Sequence, residues 1–278
     1  MKSQHVKVTI LVDDKACAGL TAEHGLSFWI ETGGKRILFD TGQGTALPHN
    51  AKDLGISLDE ADILVLSHGH YDHTGGVALV LKHSKKVEVY CHPGVVQPRY
   101  GIYNRTPKQG RMPHESIAAI NRLPARRLHW VCRATMLSRG MGITGPISRE
   151  TRYEDTGGPF FLDPRGRRAD SIDDDMALWI STGEGLIVCV GCCHAGLVNT
   201  LRQVCRLSGD TRIRAVIGGF HLLRANDQRL EQTAAALRSL SPDVVVPCHC
   251  TGERATQALK RILGDRVSPG SSGLRCRF

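Results

Sequence analysis

Ser67-His68-Gly69-His70-Tyr71-Asp72-His73-Thr74-Gly75-Gly76 follows directly on the apolar run Ile63-Leu64-Val65-Leu66. Three histidines and an aspartate crowd six positions just after a buried-strand signal, and no other stretch restricts the fold as much. Side chains two apart in extended backbone point the same way, so His68 and His70 can grip one metal ion. Asp72 and His73 follow where the chain turns into a helix, and can aim at a second ion beside the first. Imidazoles with one carboxylate suit Zn(II), Fe(II) or Mn(II). Gly69, Gly75 and Gly76 leave the backbone free to turn tightly around the ions.

Three more joints repeat the device. Val188–Gly191 runs into Cys192-Cys193-His194-Ala195-Gly196, Val216–Gly219 into Phe220-His221-Leu222, and Val244–Cys248 into His249-Cys250-Thr251-Gly252. Ligands at successive strand ends on one sheet edge converge in space. Cys192, Cys193, Cys248 and Cys250 flank His194 and His249. Neighbours of an inward histidine face away from it in extended chain, so these thiols are expected to pack as small hydrophobes, with ligation as the alternative.

Around these joints the pattern alternates. Strands are expected at Val6–Asp13, Leu26–Thr32, Lys35–Thr41, Asp62–Ser67 and Val87–Cys91, with Gly33-Gly34 as a hairpin turn. Helices are expected at Thr45–Leu54 and Thr74–His83, the latter burying Val77, Leu79, Val80 and Leu81. From Pro93 to about Asp175 the periodicity weakens, and Thr156-Gly157-Gly158-Pro159 is a loop signal. This is read as a loop-rich insertion with a few strands and one short helix, and loops this long usually serve a site. Alternation then returns, with strands Ala177–Ser181, Leu186–Val190, Ile213–Ile217 and Val244–Pro247. Helices Ala195–Leu207, Asp227–Leu240 and Glu253–Leu263 interleave with them, and the tail Val267–Phe278 can supply an edge strand.

Charge is uneven. Arg99 to Asp170 holds 14 Lys/Arg against 6 Asp/Glu, which places +8 of the net +9 there. A solvated basic surface is the plainer account; a cap that attracts an anionic substrate is the functional one. The segment lacks the basic and aromatic interleaving of single-strand binders, which argues against nucleic acid. No stretch of 18 apolar residues and no signal-peptide apolar region after Met1 are seen, so a cytoplasmic protein without a membrane span is expected. The 10 cysteines, several in apolar runs, read as reduced buried thiols.

The His-x-His-x-Asp-His run, with Phe39-Asp40-Thr41-Gly42 before it, resembles the metallo-β-lactamase superfamily of metal-dependent hydrolases. Gly19–Glu31, Phe39–Gly44, Gly191–Leu201 and Ile217–Leu222 are similar to its dihydropterin ribofuranosyl-aminobenzene phosphate synthase-like branch, and the resemblance spans nearly the whole chain. It implies a single four-layer αββα sandwich over residues 1–278, with the insertion of about 93–175 as a basic cap over the site. It also implies two divalent ions, with zinc first and manganese or iron as alternatives. His68, His70 and His194 would hold one ion, and Asp72, His73 and His249 the other. Asp40 would orient a ligand imidazole. Many members place a bridging aspartate where this chain has His221. A neutral imidazole has one free lone pair and cannot bridge that way, so His221 is expected to ligate one ion or to hydrogen-bond the substrate.

Metal ions lower the pKa of bound water from about 15.7 to near 7, and the expected reaction is attack of that hydroxide on a carbonyl or phosphoryl centre. Asp72 and His221 are the expected catalytic groups, with Asp40 behind them. His24, His92, Arg105 and Arg149 are candidates to touch a small anionic, phosphorylated or pterin-like substrate. A mononuclear iron oxidoreductase, a nuclease and a non-catalytic metal- and ligand-binding protein are the competing readings. The sequence leaves the oligomeric state undetermined.

Overall fold

The computed structural model describes residues 5–278; the residues before them, part of the stretch read as free of a signal peptide, lie outside it. Two large sheets face each other. The first has seven strands, in the order Arg275–Arg277, Val6–Val12, Ser27–Thr32, Lys35–Phe39, Ile63–Val65, Glu88–Cys91, Leu128–Trp130. The second has six, in the order Val244–Cys248, Ile213–Gly219, Gly185–Val190, Ala177–Thr182, Met141–Ile143, Thr135–Ser138.

Alternation along these strands builds three apolar layers. Ile37, Phe39, Ile63 and Val65 of the first sheet meet Leu178, Ile180, Ile187, Cys189 and Ile217 of the second in the central core. Leu38, Leu64 and Val89 point the other way, under helices Ala46–Asp53, Val77–His83 and His114–Asn121. Val188, Val190 and Val216 do the same on the second sheet, under helices Leu197–Ser208, Asp227–Leu240 and Glu253–Leu263. Both faces of each sheet are covered, which is why the inner strands read as nearly unbroken apolar runs. Leu197, Leu201 and Val204 show the helical counterpart, a buried stripe of one-turn spacing. Each such side chain contributes roughly 1.5–3 kcal/mol by leaving water. The chain is thus an αββα sandwich.

Each sheet changes from antiparallel to parallel pairing in the same way. Ser27–Thr32 and Lys35–Phe39 form a hairpin through Gly33 (φ 55°) and Gly34 (φ 74°), the double left-handed turn that Gly-Gly favours. Lys35–Phe39, Ile63–Val65 and Glu88–Cys91 then run parallel. In the second sheet the antiparallel pair Ala177–Thr182 and Gly185–Val190 precedes parallel Ile213–Gly219 and Val244–Cys248. The parallel strands of both sheets deliver their carboxyl ends to one edge. The tail strand pairs Arg277 with Lys7, at the outer edge of the first sheet.

Two expectations are revised. The helix expected over Thr74–His83 is two helices, Tyr71–Thr74 and Val77–His83, with the Gly75 N–H donating to the Gly42 carbonyl and the Gly76 N–H to the Thr41 hydroxyl where one helix gives way to the next. Segment 93–175 is not loop alone. Leu128–Trp130 extends the first sheet, and Thr135–Ser138 and Met141–Ile143 extend the second. Tyr100–Tyr103, Thr106–Gln109 and Phe160–Phe161 make a separate three-stranded sheet. That small sheet meets the histidine loop, where Tyr71 N–H donates to the Gly110 carbonyl at 3.0 Å.

Candidate metal centre

Four residues at the carboxyl ends of the parallel strands lie in the left-handed region without being glycine: Asp40 (φ 58°), Cys193 (φ 54°), His221 (φ 47°) and His249 (φ 43°). Such conformations cost on the order of 1–3 kcal/mol each and persist where surrounding structure enforces them, as functional sites do. Here they swing the chain off its strand, and His221 and His249 thereby reach the cavity above the sheet edge.

His68, His70 and His194 converge there. His68 Nε2 and His70 Nδ1 are 2.9 Å apart, and the His194 ring lies 4.8 Å from that of His68 and 4.9 Å from that of His70. Burial first, and crowding by neighbouring positive partners second, push all three well below the ordinary imidazole value. They are neutral at pH 7 and keep a free lone pair, the form that binds metal. His194 Nε2 is buried with no hydrogen-bond partner.

A second set adjoins the first. Asp72 Oδ2 lies 3.3 Å from His249 Nε2, and the His73 and His249 rings are 5.3 Å apart. Donors about 2.0–2.1 Å from one tetrahedral ion sit about 3.3 Å from one another, so this spacing suits a shared ion. Burial works against charge on both groups, but hydrogen bonds outweigh it, from His24 and then His249 on Asp72, and from Asp14 and then Asp72 on His249. Asp72 is held well below the usual carboxylate range, and His249 well above the usual imidazole one.

The other nitrogen of most of these rings is anchored. His73 Nδ1 donates to Asp40 Oδ2 at 2.7 Å, and His194 Nδ1 donates to the Thr156 carbonyl at 2.8 Å. His249 Nδ1 donates to Asp14 at 2.6 Å. Ser67 Oγ gives its proton to Asp40 at 2.6 Å and accepts from His68 Nδ1 at 2.9 Å. Each bond orients its ring and turns the other nitrogen toward the centre. Asp40 thus bonds His73 directly and His68 through Ser67.

His221 is beside His194, ring to ring at 4.3 Å, and its Nδ1 is buried without a partner. Gly157 lies flat on it: a Cβ there would come within 1.6 Å of the ring, at φ +81°. The Thr156–Pro159 loop thus packs on His221 and bonds His194. Gly191 has a related task, since a Cβ would meet Ser67 Oγ at 2.1 Å where the two sheets touch.

The cysteine expectation divides. Cys193 packs under the helices and Cys248 between the sheets. Cys192 points inward, its Sγ 3.1 Å from His73 Nε2, and forms compact donor groups with His68 and His194 and with His73 and His249. Cys250 joins Cys192 and His221 in a third such group. Cys192 stands two positions before His194, but Cys193 between them leaves the extended region, so simple alternation does not carry Cys192 inward. Cys250 is inward because His249 leaves the extended region.

Of the expected substrate-contacting residues, His24 alone reaches the centre. Its Nδ1 donates to Asp14 at 3.0 Å, its Nε2 lies 3.3 Å from Asp72, and those carboxylates hold it up to about 9. His92 instead caps the turn Pro93–Val96, accepting from Gly94 N–H at 3.0 Å. Arg105 is exposed at the tip of the Tyr100–Gln109 hairpin, in a left-handed turn. The Arg149 guanidinium donates to the His194 carbonyl at 2.6 Å and to the Ser171 carbonyl, so it braces the His194 backbone from behind. Arg105 and Arg149 are spent on turn and backbone because neither strand nor loop carries them to the opening.

Asp14, Asp174 and Asp175 are functional neighbours that spacing did not reveal. Asp174 accepts from Gly69 N–H at 2.8 Å and pairs with buried Arg99, which also meets Asp170 at 3.0 Å. Burial raises the Asp175 carboxyl to about 7, and it accepts from Ala195 N–H at 2.7 Å. The Asp173-Asp174-Asp175 run offers no periodicity that separates such props from a solvated turn.

A cavity of about 480 Å³ opens over the donor sets. Phe160, Tyr103 and Tyr71 form its apolar wall, and Lys108 and Arg224 are its cations. The Arg224 guanidinium lies 4.3 Å from the centre of the Tyr103 ring.

This arrangement can be set beside known proteins. The profile of the Metallo-beta-lactamase superfamily matches residues 20–249. The chain is 32% identical, over 91% of its length and 90% of the relative's, to a 7,8-dihydropterin-6-methyl-4-(beta-D-ribofuranosyl)-aminobenzene-5'-phosphate synthase of Methanocaldococcus jannaschii. The solved structure of Tm1679, a metal-dependent hydrolase of the beta-lactamase superfamily, overlays with a TM-score of 0.81 at 30% identity, covering 98% of each chain. The metallo-beta-lactamase fold protein YhfI of Bacillus subtilis shares the fold alone, with a TM-score of 0.59 at 12% identity over both full chains. With its fold, its histidine joints and these likenesses in agreement, the chain belongs to the metallo-β-lactamase superfamily and, within it, to the dihydropterin ribofuranosyl-aminobenzene phosphate synthase-like branch.

Proposed function

We propose that this chain is a metal-dependent hydrolase of a small anionic molecule, phosphorylated or pterin-like, using two divalent ions with zinc first and manganese or iron as alternatives. The observation that carries the reading is the meeting of two buried donor sets on the floor of a cavity whose wall is aromatic and whose cations are Lys108 and Arg224. His68, His70 and His194 would hold one ion and Asp72, His73 and His249 the other. When bound, such ions would supply Lewis acidity and would lower the pKa of water toward neutrality.

The chain's own residues do the rest. Asp40 orients His73, and through Ser67 it orients His68. His221, beside His194, presents a nitrogen to the substrate or to one ion. His24 lies against Asp72, with more than half of its side chain exposed, so a bound substrate would meet it first. Lys108 and Arg224 take the anion-holding part expected of Arg105 and Arg149, at a mouth where charge–charge attraction is only partly screened. Phe160, 5.0 Å from the His70 ring, and Tyr103 offer flat surfaces for a heterocycle.

The Methanocaldococcus relative is named a synthase, which favours a second reading: transfer to an acceptor other than water at the same centre. Product analysis with and without an added acceptor separates the two. Among the described residues no helix is long and apolar enough to cross a membrane, and all ten cysteines are free thiols. The thiols suit a reducing compartment such as the cytoplasm.

The deciding experiment is elemental analysis of protein purified without oxygen, beside Asp72→Ala. The proposal expects two zinc or manganese ions per chain, falling to about one in the variant, and turnover on a panel of phosphoesters and lactones. One iron indifferent to Asp72→Ala would replace it with redox chemistry. Steeply salt-dependent binding of RNA or DNA would favour a nuclease, and ligand binding without product a sensor.

A further inference from the structure

We propose that Cys192 is a metal ligand shared between the two ion positions, its thiolate bridging them. The proposal rests on the two-ion reading above.

Among the described residues, the donor groups built on His68 with His194 and on His73 with His249 have one atom in common, Cys192 Sγ. In each group the donor atoms lie within 4.8 Å of one another, and Sγ is 3.1 Å from His73 Nε2. The surrounding bonds show which way the lone pairs face. His73 is held by Asp40 at its Nδ1, which leaves its Nε2 facing Sγ. Independently, His194 Nε2 is wholly buried and unpartnered, although its Nδ1 is anchored on the Thr156 carbonyl. A buried nitrogen without a partner is unfavourable unless something at the centre receives it.

Charge and valence point the same way. Two divalent cations side by side need anionic ligands, and the histidine sets provide one, Asp72. An imidazole has a single lone pair for a metal, whereas a thiolate has several and can give one to each of two ions. His221 is therefore unsuited to bridging, and Cys192, with its side chain buried between the sets, is suited to it. On ligation the Sγ–H bond breaks, its proton leaves to solvent, and two sulfur–metal bonds form from sulfur lone pairs; no electron is gained or lost. Cys250 is placed differently: its thiol faces the Cys192 carbonyl at 3.9 Å, and it belongs to neither histidine group.

The test is to load the metal-free protein with cobalt(II) chloride under nitrogen and follow its absorption. Thiolate bound to cobalt(II) gives an intense near-ultraviolet charge-transfer band, distinct from the visible bands that histidine and carboxylate ligands give alone. The expected result is a band that grows with the first and second equivalents. It persists in Cys193→Ser and Cys250→Ser and is lost in Cys192→Ser. Cys192→Asp, which restores an anionic bridge, should still bind two ions without the band. Two ions bound by wild-type protein with visible bands alone would overturn the bridge and leave the two-ion reading intact. Persistence of the band in Cys192→Ser would do the same. No cobalt bound at all would overturn both. If no variant at position 192 folds, the wild-type, Cys193→Ser and Cys250→Ser spectra decide, since the band must appear in all three.

Discussion

His73 donates from Nδ1 to Asp40 Oδ2 across 2.7 Å, with both side chains fully buried. The same carboxylate accepts from Ser67 N–H at 2.7 Å and from Ser67 Oγ at 2.6 Å, and Ser67 Oγ in turn receives the His68 Nδ1 proton. One carboxylate thus sets the orientation of a ligand in each donor set.

Asp40→Asn tests this relationship cleanly, because asparagine tolerates the left-handed backbone at position 40. The amide offers one acceptor oxygen where two are used, so either His73 or Ser67 loses its partner. Metal affinity should fall about 10–100-fold, measured by competition with a chelator. A carboxylate that only braced the fold would shift the unfolding midpoint and leave that affinity alone.

Gly157→Ala should be costly despite adding one carbon. The new Cβ would overlap the His221 ring, and alanine at φ +81° is strained in its own right. We expect about 1–3 kcal/mol of lost stability by urea denaturation, along with weakened metal retention as Thr156 withdraws from His194. A wild-type denaturation midpoint would show that the loop has another way to lie.

Arg224→Ala and Lys108→Ala address substrate charge. Neither side chain holds the centre together, so metal content should be unchanged. On an anionic substrate KM should rise about tenfold or more with kcat little altered, and the dependence of kcat/KM on ionic strength should flatten. Arg105→Ala, at the exposed hairpin tip, is the control expected to do nothing. Equal effects from all three would mean that diffuse charge, and not these two side chains, attracts the substrate.

Arg99 is 1% exposed and pairs with both Asp170 and Asp174 behind the His68–His70 loop. Arg99→Met strands two carboxylates in the interior and should cost about 3–5 kcal/mol. Adding Asp170→Asn and Asp174→Asn should recover part of that loss in the same denaturation assay. No recovery in the triple variant would place the cost in lost packing instead.

Thiol chemistry offers a check on the layered core. Cys17 and Cys132 are exposed and should react with a thiol reagent in the native protein. Cys91, whose thiol burial pushes up to about 12, should react only after unfolding, and Cys189 likewise. Immediate reaction of more than a few thiols would mean that the layers open readily.

Much of this was legible locally. Asp227–Leu240 and Glu253–Leu263 are helices over the residues their periodicity marked, and Gly33-Gly34 is the hairpin turn its composition demanded. The six histidine and aspartate side chains read at strand ends do converge, because hydrophobic period and turn chemistry are short-range properties that a sequence displays directly. Arg105 and Arg149 were misjudged on net charge, which counts guanidiniums without saying where each one bonds. Asp14 went unread because its partner His249 lies 235 residues away. Cys192 was read as packing, although its place among the donors depends on the ends of two different sheets meeting. The sequence alone therefore determined the layers, the strand ends and the identity of most donors. Which arginines are free, which carboxylates orient the rings and which thiol faces the donor sets were decided by tertiary structure, since each depends on contacts between segments that no local pattern connects.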